Sequence, residues 1–201
     1  MPIFKSPWTD DRRRKEQLDD HIQRSRTAYF GFQKVAADEK QPRVARHFDA
    51  VARKYDLMNS LLSFGIHHAW KRTAVRMLGL TPGAKVLDVC GGTADLAILA
   101  ARSAGDAGRV AVYDINRTMM SYGRPKAVAA RLGDRIDFVQ GNAEDLSFPD
   151  DRFDAAMVGF GIRNVTRMKR AFAEMHRVLR PGGKLMCLEF SKPAWPVFRW
   201  I

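Results

Sequence analysis

Residues 86–95 read Val-Leu-Asp-Val-Cys-Gly-Gly-Thr-Ala-Asp, and no other stretch constrains the fold as strongly. Apolar residues around a single acid describe a strand buried on both faces. The two glycines then open a tight turn, and the apolar spacing that follows is helical. Glycine at such a turn lets the backbone come close to a ligand, because no Cβ stands in the way. The same rhythm continues along the chain. Strands are expected at 85–89, 110–114, 136–140, 153–159 and 184–190, with helices at 93–103, 117–132 and 168–179. Strands alternating with helices predict an α/β fold, a doubly wound and mostly parallel Rossmann-like sheet with right-handed crossovers. Ligands of such sheets bind beyond the carboxyl ends of the strands, where the winding reverses. Asp88 is expected to face that crevice, and Gly91 and Gly92 to line it.

The turn also bears on the cofactor. A dinucleotide site wants Gly-x-Gly-x-x-Gly, with a pyrophosphate on the helix N-terminus. Cys90-Gly91-Gly92-Thr93-Ala94 fails that spacing, and a carboxylate at Asp88 would repel two phosphates. It suits a ligand carrying positive charge, and S-adenosylmethionine satisfies that condition. Asp114 ends the second strand, where an acid accepts hydrogen bonds from both ribose hydroxyls, a feature shared with nicotinamide cofactor sites. Asn142 and Ala143 follow the third strand, within reach of an adenine edge. Each of these residues taken singly reads as a turn or a cap; together, at the ends of successive strands, they describe a site. The fourth strand ends in Gly159-Phe-Gly-Ile-Arg-Asn164, not the Asn/Asp-Pro-Pro-Tyr element that holds amino groups of bases. That weighs against methylation of nucleic-acid amino groups. No acidic cluster has metal-ligand spacing, so no metal is expected.

The 201 residues, 46% of them hydrophobic, suit one domain with an N-terminal extension. Residues 1–28 read as a polar, charged tail, 29–80 as a helical lid and substrate region, and 81–201 as the cofactor-binding α/β domain. Val44, Phe48, Val51 and Tyr55 recur on one helical face; a helix over 67–78 puts Trp70, Ala74 and Met77 on another and is stopped by Thr81-Pro-Gly83. Between them lies an unusually apolar segment, 57–66, either packed on the domain or a lid over a greasy substrate. The net charge of +12 gives a basic surface, attractive to nucleic acid or to an anionic membrane. Cys90 and Cys187 read as free thiols of a reducing compartment. No signal-peptide pattern and no run of roughly 18 apolar residues are present. A cytoplasmic protein with at most peripheral membrane contact is expected.

Several blocks together carry a resemblance. Phe30-Gly-Phe-Gln-Lys-Val35, Lys54-Tyr-Asp-Leu-Met-Asn59, Ser63-Phe-Gly-Ile-His67 and Trp70-Lys71 lie before the glycine turn. Gly141-Asn-Ala-Glu144, Phe160-Gly-Ile-Arg-Asn-Val165 and Leu188-Glu-Phe-Ser-Lys-Pro193 lie after it. With residues 86–95 they resemble the ubiquinone/menaquinone biosynthesis C-methyltransferases, a class I S-adenosylmethionine-dependent family. The resemblance implies methyl transfer to a ring carbon of a polyprenylated quinol, benzoquinol or naphthoquinol. It implies cofactor contacts at Thr93, Asp114, Asn142 and Ala143; at Gly159, where the family carries a serine, the contact is lost or reduced to backbone. Ala94 stands in place of the family's third turn glycine.

A quinol carbon becomes nucleophilic when a neighbouring hydroxyl is deprotonated, so such a protein must stabilise a phenolate and align the carbon. Arg163, permanently charged, is expected to meet the phenolate, and Asn164 to orient a water or a hydroxyl. Tyr55 and His67 are candidates for proton handling, with a packed or capping role as the plainer reading of His67. Family members run on past the Ser-Lys-Pro block, so the chain is expected to lack the last strands of the sheet. Strand five would then be an edge, open to a second copy or to a quinone-biosynthesis assembly. Two other functions fit the same residues. One is methyl transfer to RNA or a small phenol; the other is a non-catalytic cofactor-binding subunit of such an assembly.

Overall fold

The computed structural model describes residues 27–30, 33–52, 58, 61 and 63–190. The chain divides into two compact units, 1–44 and 45–201. In the first, β1 (Thr27–Phe30) and β2 (Gln33–Ala36) pair antiparallel, with Thr27 opposite Ala36 and Phe30 opposite Gln33. This hairpin was not anticipated: four-residue strands are too short to show a period against a charged background. Helix α1 (Ala37–Val51) begins in this unit and runs into the second. Val44 is buried and Phe48 and Val51 are half-buried, as the expected face requires; Tyr55 lies outside the described residues.

The second unit holds α2 (Ile66–Leu78) and a five-stranded parallel sheet. Its strands are β3 (Lys85–Val89), β4 (Arg109–Asp114), β5 (Ile136–Gln140), β6 (Phe153–Gly159) and β7 (Leu179–Leu188), in the spatial order β5-β4-β3-β6-β7. Helices α3 (Asp95–Ser103), α4 (Arg117–Ala129) and α5 (Met168–Arg177) connect them. The chain therefore winds outward from β3 to β5, then returns to β6 on the other side of β3. That reversal sets a crevice at the carboxyl ends of β3 and β6.

Period-two alternation divides the core. Val86, Val110, Val112, Ala155 and Met157 pack with Ala97, Ala100, Ala101 and Ala104 of α3, whose small side chains form a close-packed helix face. Leu87, Val89, Tyr113, Ala156 and Val158 face the other way, onto Ala171 and Met175 of α5. The doubly wound sheet is as expected; two of its details are not. Strand β7 starts at Leu179 rather than at 184 and takes Pro181-Gly182-Gly183 into its run. Its register jumps from Phe153 opposite Leu179 to Ala155 opposite Lys184, and a proline without an N–H is tolerated at such an irregularity.

Helix α2 is the other. Its buried face is His67, Lys71, Ala74, Val75 and Leu78, whereas Trp70 is 40% and Met77 79% exposed. It also stops at Gly79, in the left-handed region at φ 56°, before Thr81 is reached. Apolar periodicity missed the face because two polar residues lie inside it. The Lys71 ammonium donates to Asp95 Oδ2 at 2.7 Å, and Lys126 donates to Oδ1 of the same carboxylate. Burial alone would raise the Asp95 carboxyl; the two lysines outweigh it and hold it below its usual value. One carboxylate thus pins α2 and α4 to the start of α3.

Candidate active site

Strained backbone gathers at the crevice. Cys90 (φ 56°), Ala94 (φ 66°) and Phe160 (φ 57°) are left-handed without being glycine, at about 1–2 kcal/mol each. The first two bracket the turn after β3, and the third follows β6. Gly92, at φ 45°, adopts the same region freely. A Cβ on Gly91 would stand 2.8 Å from Cγ and Oδ2 of Asp88, so the turn is folded directly over that side chain.

This corrects the expectation for Asp88. It shares its strand face with Val86, towards α3, and is 1% exposed, with both carboxylate oxygens sealed from solvent. It lies beneath the turn, not in the crevice. Burial, with the Asp114 charge adding to it, pushes its carboxyl up to about 8, against the Ala97 amide and Lys71. A carboxyl whose folded value is raised favours the fold below its unfolded value, near 4, and loses that advantage as pH rises through about 8. We therefore expect the stability difference between wild type and Asp88→Asn to fall by about 1.4 kcal/mol per pH unit between about pH 5 and 7, and to level off above about 8. Chemical unfolding at a series of pH values measures it; a flat difference would refute the buried-acid assignment.

Asp114 ends β4. Its Oδ2 accepts the Gly92 N–H at 2.9 Å and its Oδ1 the Asn116 N–H at 2.7 Å. An ionised carboxylate offers about four acceptor sites, so capacity remains for ribose hydroxyls. Burial raises its carboxyl while the Asn116, Gly92 and Ile115 amides oppose the rise. Two residues that sequence reasoning missed complete this side. Asn116 caps α4 through Met119 N–H at 2.7 Å and donates to Ala45 O and Asp49 Oδ1, tying α1 to the residue whose N–H Asp114 accepts. Gly123 lets α4 touch the turn: a Cβ there would lie 3.0 Å from Gly92 O. A lone glycine inside a helical pattern was the available signal.

Thr93 is buried at the head of the turn. Asn142 Oδ1 accepts the Glu144 N–H at 3.0 Å, which leaves its amide nitrogen as a donor beside buried Ala143. Glu144 in turn accepts the Arg167 N–H at 2.9 Å, fastening this loop to the start of α5. At Gly159 a Cβ would press on Leu96 Cδ1, so only backbone is presented there. His67 is buried, with Nδ1 2.7 Å from Ser63 Oγ, the surroundings of a packed histidine at a helix start.

Beyond β6, Ile162–Asn164 form a single 3₁₀ turn that carries Arg163 and Asn164. The Arg163 guanidinium lies 5.6 Å from the Phe190 ring centre, and its Nη1 is 3.5 Å from Glu189 Oε2. Phe190 packs against Phe160 at 4.9 Å and edge-on against Trp70 at 5.8 Å. The crevice has a glycine-turn and carboxylate half around β3 and β4, and an aromatic, cationic half around β6 and β7. Among the described residues no group of three or more His, Cys, Asp or Glu is placed to hold a metal.

Residues 34–200 match the profile of the ubiE/COQ5 methyltransferase family. The chain belongs to the ubiE/COQ5 methyltransferase family. It is 50% identical over 171 residues to the ubiquinone/menaquinone biosynthesis C-methyltransferase UbiE of Hahella chejuensis, a match covering 85% of this chain and 69% of that one. Among solved structures it is similar to the [4+2]-cyclase SpnF, with a TM-score of 0.64 and 25% identity over 74% of this chain and 59% of that one. A SAM-dependent methyltransferase from Aquifex aeolicus aligns with a TM-score of 0.57 and 21% identity over 63% of this chain and 66% of that one. Membership of the ubiE/COQ5 family makes this an S-adenosylmethionine-dependent methyltransferase on a class I fold. The donor set fits that cofactor: a glycine turn without intervening side chains, an acid with spare acceptors at Asp114, and an amide donor at Asn142.

Proposed function

We infer that this protein transfers a methyl group from S-adenosylmethionine to a ring carbon of a polyprenylated quinol in ubiquinone or menaquinone biosynthesis. The observation that carries the reading is the 50% identity to the UbiE relative across most of the chain. The acceptor half of the site supports it. Trp70, Phe160 and Phe190 offer flat apolar walls to a flat ring, and Arg163 offers a permanent charge to a developing oxyanion. When bound, S-adenosylmethionine supplies an electrophilic methyl group on a sulfonium. The chain's own work is to hold it through the turn, Asp114 and Asn142, to seat the ring in line with it, and to meet the phenolate charge.

A polyprenyl substrate resides in lipid, and we place the protein at the cytoplasmic face of a membrane as a peripheral visitor. Leu61, Phe64 and Ile66 are exposed, and the net charge is +12, a combination suited to an anionic leaflet. No helix among the described residues is long and apolar enough to cross a membrane.

Methyl-labelled cofactor, incubated with the protein and anionic vesicles carrying a reduced demethylmenaquinone or a demethylated ubiquinol precursor, tests both parts. Label is expected in one of the two quinones, and vesicle binding is expected to weaken as salt shortens the Debye length from about 10 Å towards about 3 Å. Cofactor binding without transfer to either quinol, or transfer to RNA or soluble phenols instead, would overturn the reaction. Absence of vesicle binding at every salt concentration would overturn the membrane part.

A further inference from the structure

We propose that Glu189 accepts the proton of the quinol hydroxyl, with Arg163 as the partner that takes over the charge; this rests on the quinol reading above. Glu189 is the first residue past β7, and Cys90 and Phe160 are the first past β3 and β6. Three adjacent parallel strands thus deliver these residues to the same end of the sheet. The Glu189 side chain is 17% exposed; Oε2 faces Arg163 Nη1 at 3.5 Å, while Oε1 is buried and takes no hydrogen bond. Its neighbour Phe190, 61% exposed, belongs to the aromatic cluster with Phe160 and Trp70.

A buried carboxylate oxygen left without a donor costs free energy. Such a defect persists where a ligand supplies the missing donor. A quinol hydroxyl is a donor of that kind, carried on a ring that suits the aromatic walls. The two nearby thiols are poorer bases. Burial pushes both Cys90 and Cys187 upward, and the Glu189 charge adds to the rise, so they stay protonated. His67 is already engaged with Ser63.

The hydroxyl O–H bond breaks and its proton passes to Glu189, the electron pair staying on oxygen as a phenolate. The negative charge moves from Glu189 to the quinol, and the Arg163 guanidinium, already paired with the carboxylate, meets it there. The adjacent ring carbon then bonds to the methyl carbon as the methyl–sulfur bond breaks, its pair leaving with sulfur. Loss of the ring C–H proton to water restores aromaticity, and the oxygen takes back the proton held by Glu189. The net change is one methyl gained by the ring and one proton released, with no oxidant or reductant required.

The test compares wild type with Glu189→Gln, Glu189→Asp and Glu189→Ala, reading single-turnover methyl transfer across pH and S-adenosylhomocysteine binding by calorimetry. Glu189→Gln is expected to slow transfer about 10²–10⁴-fold near pH 7, the deficit shrinking as alkali ionises the quinol unaided, and Glu189→Asp to recover part of the rate. S-adenosylhomocysteine affinity should stay within about twofold of wild type in every variant, since the residue lies on the acceptor side. A demethylmenaquinol analogue should bind wild type about tenfold tighter than its O-methyl ether, a preference absent from Glu189→Ala.

Transfer by Glu189→Gln within about threefold of wild type, with an unchanged pH profile, would overturn the proposal and leave the quinol reading intact. Equal collapse of cofactor binding and transfer in the Gln and Asp variants would overturn it in favour of a structural role. A wild type that binds S-adenosylhomocysteine yet methylates neither quinol would overturn the quinol reading, and the proposal with it.

Discussion

Gly91→Ala is expected to abolish measurable S-adenosylhomocysteine binding and to lower the unfolding temperature by roughly 5–10 °C. The added methyl would stand 2.8 Å from Cγ and Oδ2 of Asp88 and 3.0 Å from the Asp88 carbonyl oxygen. None of these atoms can retreat. The carbonyl belongs to the central strand, and the carboxyl is enclosed between β3 and α3. The turn must lift instead, and it carries with it the Gly92 N–H that Asp114 holds and the start of α3 that Asp95 anchors. Gly105→Ala is the comparison. It meets a left-handed backbone, at φ 67°, which Gly91 does not, and nothing lies within 4 Å, so it bears conformational strain alone. Calorimetric unfolding and ligand titration of the two variants separate strain from collision. A Gly91→Ala protein that unfolds and binds like Gly105→Ala would refute the close packing of turn on carboxyl.

Arg163→Ala is expected to lower the rate of methyl transfer about 10²–10³-fold while leaving S-adenosylmethionine affinity within about twofold. The residue sits on the 3₁₀ turn after β6, with its side chain 53% exposed, so its removal opens no cavity in the core. What is lost is a charge beside the aromatic cluster, where an oxyanion would otherwise develop without a counter-ion, and the partner of Glu189 Oε2. Arg163→Lys should recover only part of the rate, since an ammonium keeps the charge but not the planar fork. Single-turnover kinetics beside cofactor titration measure the split. Equal losses in transfer and in affinity would remove Arg163 from the reaction.

Much of this site was legible because strand ends are legible. In a parallel sheet the residues that follow consecutive strands meet in space, so Gly91, Asp114, Asn142 and Arg163 needed only the βα rhythm to be brought together. Side-chain direction was harder. Asp88 was expected in the crevice because it stands beside the glycines in sequence, yet alternation along β3 turns it onto α3, under the turn. Glu189 lay inside a recognised block, but its role depends on where β7 ends, and that depends on the irregularity that admits Pro181-Gly182-Gly183. Trp70 and Met77 were read onto one helical face with Ala74, whereas the buried face of α2 runs through His67 and Lys71. Buried ion pairs between elements leave no periodic trace.

By itself the sequence determined the doubly wound sheet, the order of its strands along the chain and the glycine turn. All of these follow from local patterns, which act over a few residues and are written in residue type. Only the tertiary structure decided which polar side chains meet. Asp95 between two lysines, Asn116 between α1 and Asp114, and Glu189 beside Arg163 each join residues from different elements. Such contacts depend on the angle and depth at which the elements pack, and a one-dimensional pattern carries neither quantity.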